Sequence, residues 1–103
     1  MADFEIRREG DRATVAPEGD VVASSVAELR PAMRNLLRSG VREIVFDLGR
    51  AEMMDSIGIG LLFSAYNSLS QAGGKFSVTG ASAEMLELLR SLRVNQHFGV
   101  SGR

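Results

Sequence analysis

Runs of β-branched residues alternate with apolar stripes of helical period along this chain, and that alternation limits the fold more tightly than any other feature. Phe4 and Ile6 alternate with charged residues, Gly10-Asp11 marks a turn, and Arg12 to Ala16 continues extended, which predicts an opening hairpin. Pro17 ends that segment or places it at a sheet edge. Val26, Leu29, Met33, Leu36 and Leu37 then share one helical stripe, with Ser25 and Glu28 spaced as a capping box and Gly40 placed to stop the helix. Pro31 deletes a backbone donor inside this stripe, so the helix is expected to kink there or to begin near that residue.

Ile44-Val45-Phe46-Asp47-Leu48 suits a central strand covered on at least one face. A loop from Gly49 to Asp55 leads into a second stripe, Ile59, Leu62, Phe63, Tyr66 and Leu69, ended by Gly73-Gly74. Phe76 and Val78 alternate with Ser77 and Thr79 in a further strand that Gly80 is expected to close. Met85, Leu88, Leu89 and Leu92 form a third stripe with Ser82 as its cap, and the tail offers a short strand at Phe98 to Val100. Helices between strands favour parallel neighbours, while the opening hairpin adds an antiparallel member. The expected fold is α/β, a mixed four- to five-stranded sheet with packed helices, and 103 residues supply one core, hence a single domain over 1–103.

Composition narrows the function classes. With 12 basic and 13 acidic residues the net charge is −1, too little field to gather a phosphate backbone, so no nucleic-acid partner is expected. The chain has no cysteine, which removes disulfides, thiolate metal sites and cysteine nucleophiles. Its start, Met-Ala-Asp-Phe-Glu-Ile-Arg-Arg, is polar where a signal peptide is apolar, and no run approaches spanning length. A cytoplasmic location without membrane insertion is therefore expected. No acid/base pair, metal cluster or serine–histidine pairing is supported by the pattern, so the chain reads as a non-enzyme with no catalytic residue, no metal site and no cofactor.

The functional signal lies where the central strand hands over to the second helix, at Met54-Asp55-Ser56-Ile57-Gly58-Ile59-Gly60. Loops at the carboxyl ends of strands are where α/β folds place ligands. Ser56 is the expected N-cap, its hydroxyl accepting from the first-turn N–H groups, while Gly58 and Gly60 leave that turn bare for a close-approaching partner. A phosphate on such a serine is favourably placed at a helix N-terminus by about 0.3–1 kcal/mol, so the fold should tolerate it. Beside Asp55 the same dianion makes a concentrated negative patch, costly to bury against a partner that offers no cation. A surface switch without refolding follows, and a plain helix cap is the competing account of the same residues.

Asp55-Ser56-Ile57-Gly58-Ile59-Gly60-Leu61-Leu62, following Ile44 to Leu48, resembles the signature of STAS domains, the family of bacterial anti-sigma-factor antagonists. Gly19-Asp20 after the second strand, Gly73-Gly74, Thr79-Gly80 and the leucine-rich last helix resemble that family in order and spacing. The resemblance implies a partner-switching cycle. The unphosphorylated domain binds a serine-kinase anti-sigma factor of the histidine-kinase-ATPase type, phosphorylation ends the binding, and a serine phosphatase restores it. By motif position it implies Ser56 as phosphoacceptor, preceded by Asp55, with Asp20 on the same face and Ile57, Gly58 and Gly60 in the partner-binding surface. Ile57 stands where the family often has a small or hydroxylated residue, which leaves Ser56 as the motif's one acceptor. An alternative within the resemblance is an unphosphorylated accessory subunit of a lipid transporter or stress-signalling assembly. Whether the domain dimerises is left open.

Other residues carry weaker signals. Arg30, Arg34 and Arg38 recur every four residues and are expected on a solvated helix face, although such a row suits an acidic partner or lipid headgroups. Met53 and Met54 flank the switch, at least one of them expected as a core plug. His97 is alone in the tail, with no second histidine for a metal. Asp47 and Asp55 lack the acidic cluster and late lysine of an aspartyl-phosphate receiver, because Lys75 begins a strand.

Overall fold

The computed structural model describes residues 4–103, so the polar start Met1-Ala2-Asp3 lies outside it. The strands are β1 (Phe4–Glu9), β2 (Arg12–Pro17), β3 (Glu43–Asp47), β4 (Lys75–Ala81) and β5 (Gly99–Gly102). The helices are α1 (Ala23–Arg38), α2 (Ser56–Gln71) and α3 (Ala83–Ser91), with a 3₁₀ turn at Val94–Gln96. Among the described residues the sheet has five strands in the order β1-β2-β3-β4-β5. β1 and β2 pair antiparallel, and every later neighbour is parallel. The mixed α/β sheet expected from the pattern is thus present, and Pro17 closes an interior strand, opposite Phe4 at the hairpin's open end.

Register explains which face is buried. Ala13 stands beside Ile44 and Ile44 beside Phe76, while Val15 stands beside Phe46 and Phe46 beside Val78. These apolar residues point to one side and join the inward faces of the helices, Val26, Leu29, Leu61, Leu62 and Leu89 among them, in one core cluster. The other face carries Thr14, Glu43, Asp47, Lys75 and Ser77, with Val45 as an apolar residue among them. β3 reads as a continuous apolar run because it is central, not because both faces lie under helices.

Several local expectations change. α1 runs unbroken through Pro31 from Ala23, earlier than a start near the proline. Pro31 and Ala27, whose carbonyl loses its helical donor, are both exposed, and water can take up that carbonyl. Ser25 is not the N-cap of a box with Glu28: Val22 is the N-cap, and the Ser25 hydroxyl, one turn in, accepts from its N–H at 3.0 Å. On α2 the buried line is Gly58, Leu61, Leu62, Ala65 and Leu69, so Ile59, Phe63 and Tyr66 are only partly covered. On α3 Met85 and Leu89 are buried, whereas Leu88 and the C-cap residue Leu92 stand exposed. The helix meets the core along a narrower stripe than its leucines suggest.

Gly80 does not close β4. It sits inside the strand with φ +72°, at the register shift toward β5, and a side chain there would run into Asp47 Oδ1 and the Gly49 backbone. The kink gives the loop after β3 the room it needs. Ser82 caps α3 as expected, accepting from the Met85 N–H at 3.1 Å. β5 begins one residue after Phe98, which itself packs edge-on against Phe76 with ring centroids 4.9 Å apart.

Candidate functional site

The loop after β3 is held from three directions before it delivers Ser56. First, the backbone of the β2–α1 connection pairs with it: Val21 N–H donates to Met53 O at 3.0 Å and Asp55 N–H donates to Val21 O at 3.3 Å. Second, the Asp20 side chain accepts from the N–H groups of Glu52 and Met53 through Oδ1, at 3.2 and 3.1 Å. Third, Arg103 reaches across from beyond β5. Its guanidinium donates to Ala51 O at 2.7 Å, Leu48 O at 3.3 Å and Gly80 O at 3.0 Å, and stands 3.6 Å from the Glu52 carboxylate. Buried Leu48, Ala51 and Met54 anchor the same loop into the core.

Asp55, not Ser56, is the N-cap of α2. Its Oδ1 accepts from Gly58 N–H at 2.8 Å, and its Oδ2 accepts from Ala23 N–H, in the first turn of α1, at 3.1 Å. One carboxylate therefore satisfies free amides at the starts of two helices. The Gly58 amide is the main influence holding the Asp55 carboxyl below the ordinary aspartate range, against the opposing effect of desolvation and with the help of Ala23 N–H. Asp55 is consequently charged at neutral pH. Capping by Asp55 leaves the Ser56 hydroxyl unneeded for the helix start, and Ser56 is exposed at the first helical position.

Around that serine the surface is mixed. Ile57 and Met53 are 47% and 58% exposed, large apolar side chains open to solvent on either side of the Asp55–Ser56 step. Met54, the neighbour of Met53, is 7% exposed and is the expected core plug. Gly60 is open, with nothing within 4 Å of where a side chain would stand. Gly58 is different: it is buried, and a Cβ there would overlap the Val21 carbonyl oxygen and lie 2.7 Å from Met54 Cγ. Its bareness lets the β2–α1 connection close against α2, which corrects the expectation that it faces a partner. Asp20 is placed as expected beside the same loop, but its carboxylate is occupied by the loop's amides.

Residues that sequence reasoning passed over do much of this positioning. Arg103 lies in a tail with little sequence pattern, and Val21 is one valine among several; neither signals its role without knowledge of what lies opposite. The remaining candidates stand apart from this loop. His97 lies against the rings of Phe63 and Tyr66, with centroids 5.7 and 5.8 Å away. Among the described residues no group of three or more His, Cys, Asp or Glu is placed to hold a metal ion. Nor is any described helix long and apolar enough to cross a membrane.

A mixed sheet whose central strand leads through a loop into a helix that presents an exposed serine at its start defines a class of small α/β domains, and comparison with known proteins gives that class a family. The family described as Mlab, STAS domain matches residues 4–100, and the chain belongs to the STAS domain family. The fold is similar to that of a Thermotoga maritima protein, a candidate anti-sigma factor antagonist, with a TM-score of 0.90 at 17% identity over 97% of this chain and 86% of that one. It is also similar to the Bacillus anti-sigma factor antagonist SpoIIAA. The unphosphorylated form gives a TM-score of 0.77 at 17% identity over 93% of this chain and 86% of that one. The phosphorylated form gives 0.79 at 17% identity over 97% and 91%.

Proposed function

We propose that this chain is an anti-sigma-factor antagonist, a binding module and not an enzyme, whose partner affinity is switched by phosphorylation of Ser56. The observation that carries the reading is the exposed Ser56 at the first position of α2, left free because Asp55 does the capping. Such a hydroxyl is open to a kinase active site, and its modification breaks no hydrogen bond that holds the helix. The similarity to SpoIIAA, a protein known in phosphorylated and unphosphorylated forms, supports the same reading at the level of fold.

In the unphosphorylated state, exposed Met53 and Ile57 supply apolar contact area around Ser56, and Gly60 allows close approach. The partner is a serine-kinase anti-sigma factor of the histidine-kinase-ATPase type, and a serine phosphatase resets the module in the cytoplasm. Phosphorylation adds about −1.5 to −2 charge immediately beside the ionised Asp55. Burying that pair against an apolar contact costs at least a few kcal/mol, and about 1.4 kcal/mol is tenfold in affinity. Release follows from local electrostatics, with the fold intact.

Affinity capture from host lysate with the wild-type chain and the Ser56→Asp variant as baits, read by mass spectrometry, tests this. An ATPase-type serine kinase held by the wild type and lost with aspartate is the expected result, together with a Ser56 phosphopeptide in cells. Equal retention of the same proteins by both baits, with no phosphopeptide, overturns the switch and favours an accessory-subunit role.

A further inference from the structure

A second polar site lies away from Ser56, in a cleft between α1 and α2. Its volume is ≈ 130 Å³, and its wall carries Arg30 and Arg34 from α1 opposite Ser64 and Ser68 from α2. Met33 and Leu61, both buried, form an apolar floor. No acidic residue lines the cleft. Arg30 Nη1 donates to Ser64 Oγ at 3.3 Å, and among the described residues neither Arg30 nor Arg34 takes part in an ion pair. Arg30 is partly buried, so its charge is less screened than that of a fully exposed arginine.

Two guanidinium groups one helical turn apart, facing two hydroxyls also one turn apart, form a set of donors without an acid to satisfy them. Arginine forks bind phosphoryl oxygens in pairs, and serine hydroxyls complete such a shell. A carboxylate, with two oxygens, uses this set less fully than a phosphoryl group with three. Size limits the rest of the ligand: an engineered apolar cavity of about 150 Å³ holds one benzene, so this cleft takes a phosphoryl group plus a few carbons.

We propose that the α1–α2 cleft binds a small phosphomonoester, its phosphoryl group on Arg30, Arg34, Ser64 and Ser68 and its short hydrocarbon part on Met33 and Leu61. The site is independent of the Ser56 switch. The same chemistry is offered by a free phosphomonoester and by the headgroup of phosphatidic acid.

The test titrates the intact protein with n-butyl phosphate and follows amide resonances in a ¹H–¹⁵N correlation spectrum, with n-butanol and inorganic phosphate as comparison ligands. Saturable shifts are expected along 30–37 and 61–68, weakening as salt is raised. Inorganic phosphate should bind about tenfold more weakly because it leaves the floor uncovered. The Arg30→Gln/Arg34→Gln variant should keep a dispersed spectrum and lose affinity by at least about tenfold. Co-sedimentation with vesicles of phosphatidic acid in phosphatidylcholine, against phosphatidylcholine alone, separates the sources. Binding that the double variant loses assigns the lipid headgroup, and butyl phosphate binding without sedimentation assigns a free ligand. No shifts, shifts that n-butanol reproduces, equal affinity for inorganic phosphate, or affinity undiminished in the folded double variant overturns the site.

Discussion

Gly58 and Gly60 stand two residues apart in the same helix, yet alanine at the two positions should change stability in opposite directions. At Gly60 nothing lies within 4 Å of a new methyl group, and the glycine's φ is an ordinary helical one. Alanine there gains helix propensity and should stabilise the protein by about 0.5–1 kcal/mol. At Gly58 the same gain is outweighed. The methyl would overlap the Val21 carbonyl oxygen and come within 2.7 Å of Met54 Cγ. Met54 can shift, but Val21 O is backbone and also accepts from Asp55 N–H, while Val21 N–H donates to Met53 O. Moving that segment weakens two backbone hydrogen bonds at about 1 kcal/mol each and adds an overpacking cost of about 1–3 kcal/mol. Less the propensity gain, Gly58→Ala should destabilise by about 2–4 kcal/mol. With a urea dependence of about 1–2 kcal/mol per molar for a domain this small, Gly60→Ala should raise the midpoint by about 0.5 M and Gly58→Ala lower it by about 1 M or more. Urea denaturation followed by circular dichroism reads both. A Gly58→Ala protein as stable as Gly60→Ala would refute the close approach of the β2–α1 connection to α2.

Asp55→Asn should lower the thermal midpoint at neutral pH. Because the folded-state carboxyl is held below its unfolded value, its stabilisation is full above the unfolded pKa and disappears as pH falls through the lowered folded one. The variant should therefore show a shallower loss of stability on acidification, and an unchanged acid limb in thermal melts would contradict the double cap. Arg103→Ala should cost about 1–2 kcal/mol and speed amide hydrogen exchange in 49–54, with Arg103→Lys giving no rescue because an ammonium cannot span Gly80, Leu48 and Ala51. Exchange rates equal to wild type would remove Arg103 from the positioning of the loop. Ser56→Asp should leave stability unchanged or raise it slightly, by about 0.3–1 kcal/mol at the helix end; a marked fall in thermal midpoint would show that Ser56 is structurally engaged.

What the sequence determined by itself is the succession of elements and the place of the serine. Alternation at period two, stripes at period 3.6 and turn residues at the joints are local properties, set by backbone geometry before any contact forms. Hence the hairpin, the parallel order and Asp55-Ser56 at the start of α2 are all legible, with the family signature lying across that same step. What only the tertiary structure decided depends on neighbours far along the chain. Asp55 rather than Ser56 caps α2, because the Asp55 carboxylate, one residue before the helix, also reaches Ala23 N–H. Gly58 and Gly60, two residues apart, lie on opposite sides of α2, and packing decides that Gly58 meets Val21 while Gly60 faces solvent. Leu88 and Leu92 continue a perfect stripe but run past the edge of what α3 can cover. Arg103 has no partner within its own segment, and its carbonyls at Leu48, Ala51 and Gly80 come together only when β5 lies beside β4. Periodicity reports which side of an element is apolar, whereas the identity of the atoms opposite is created by packing.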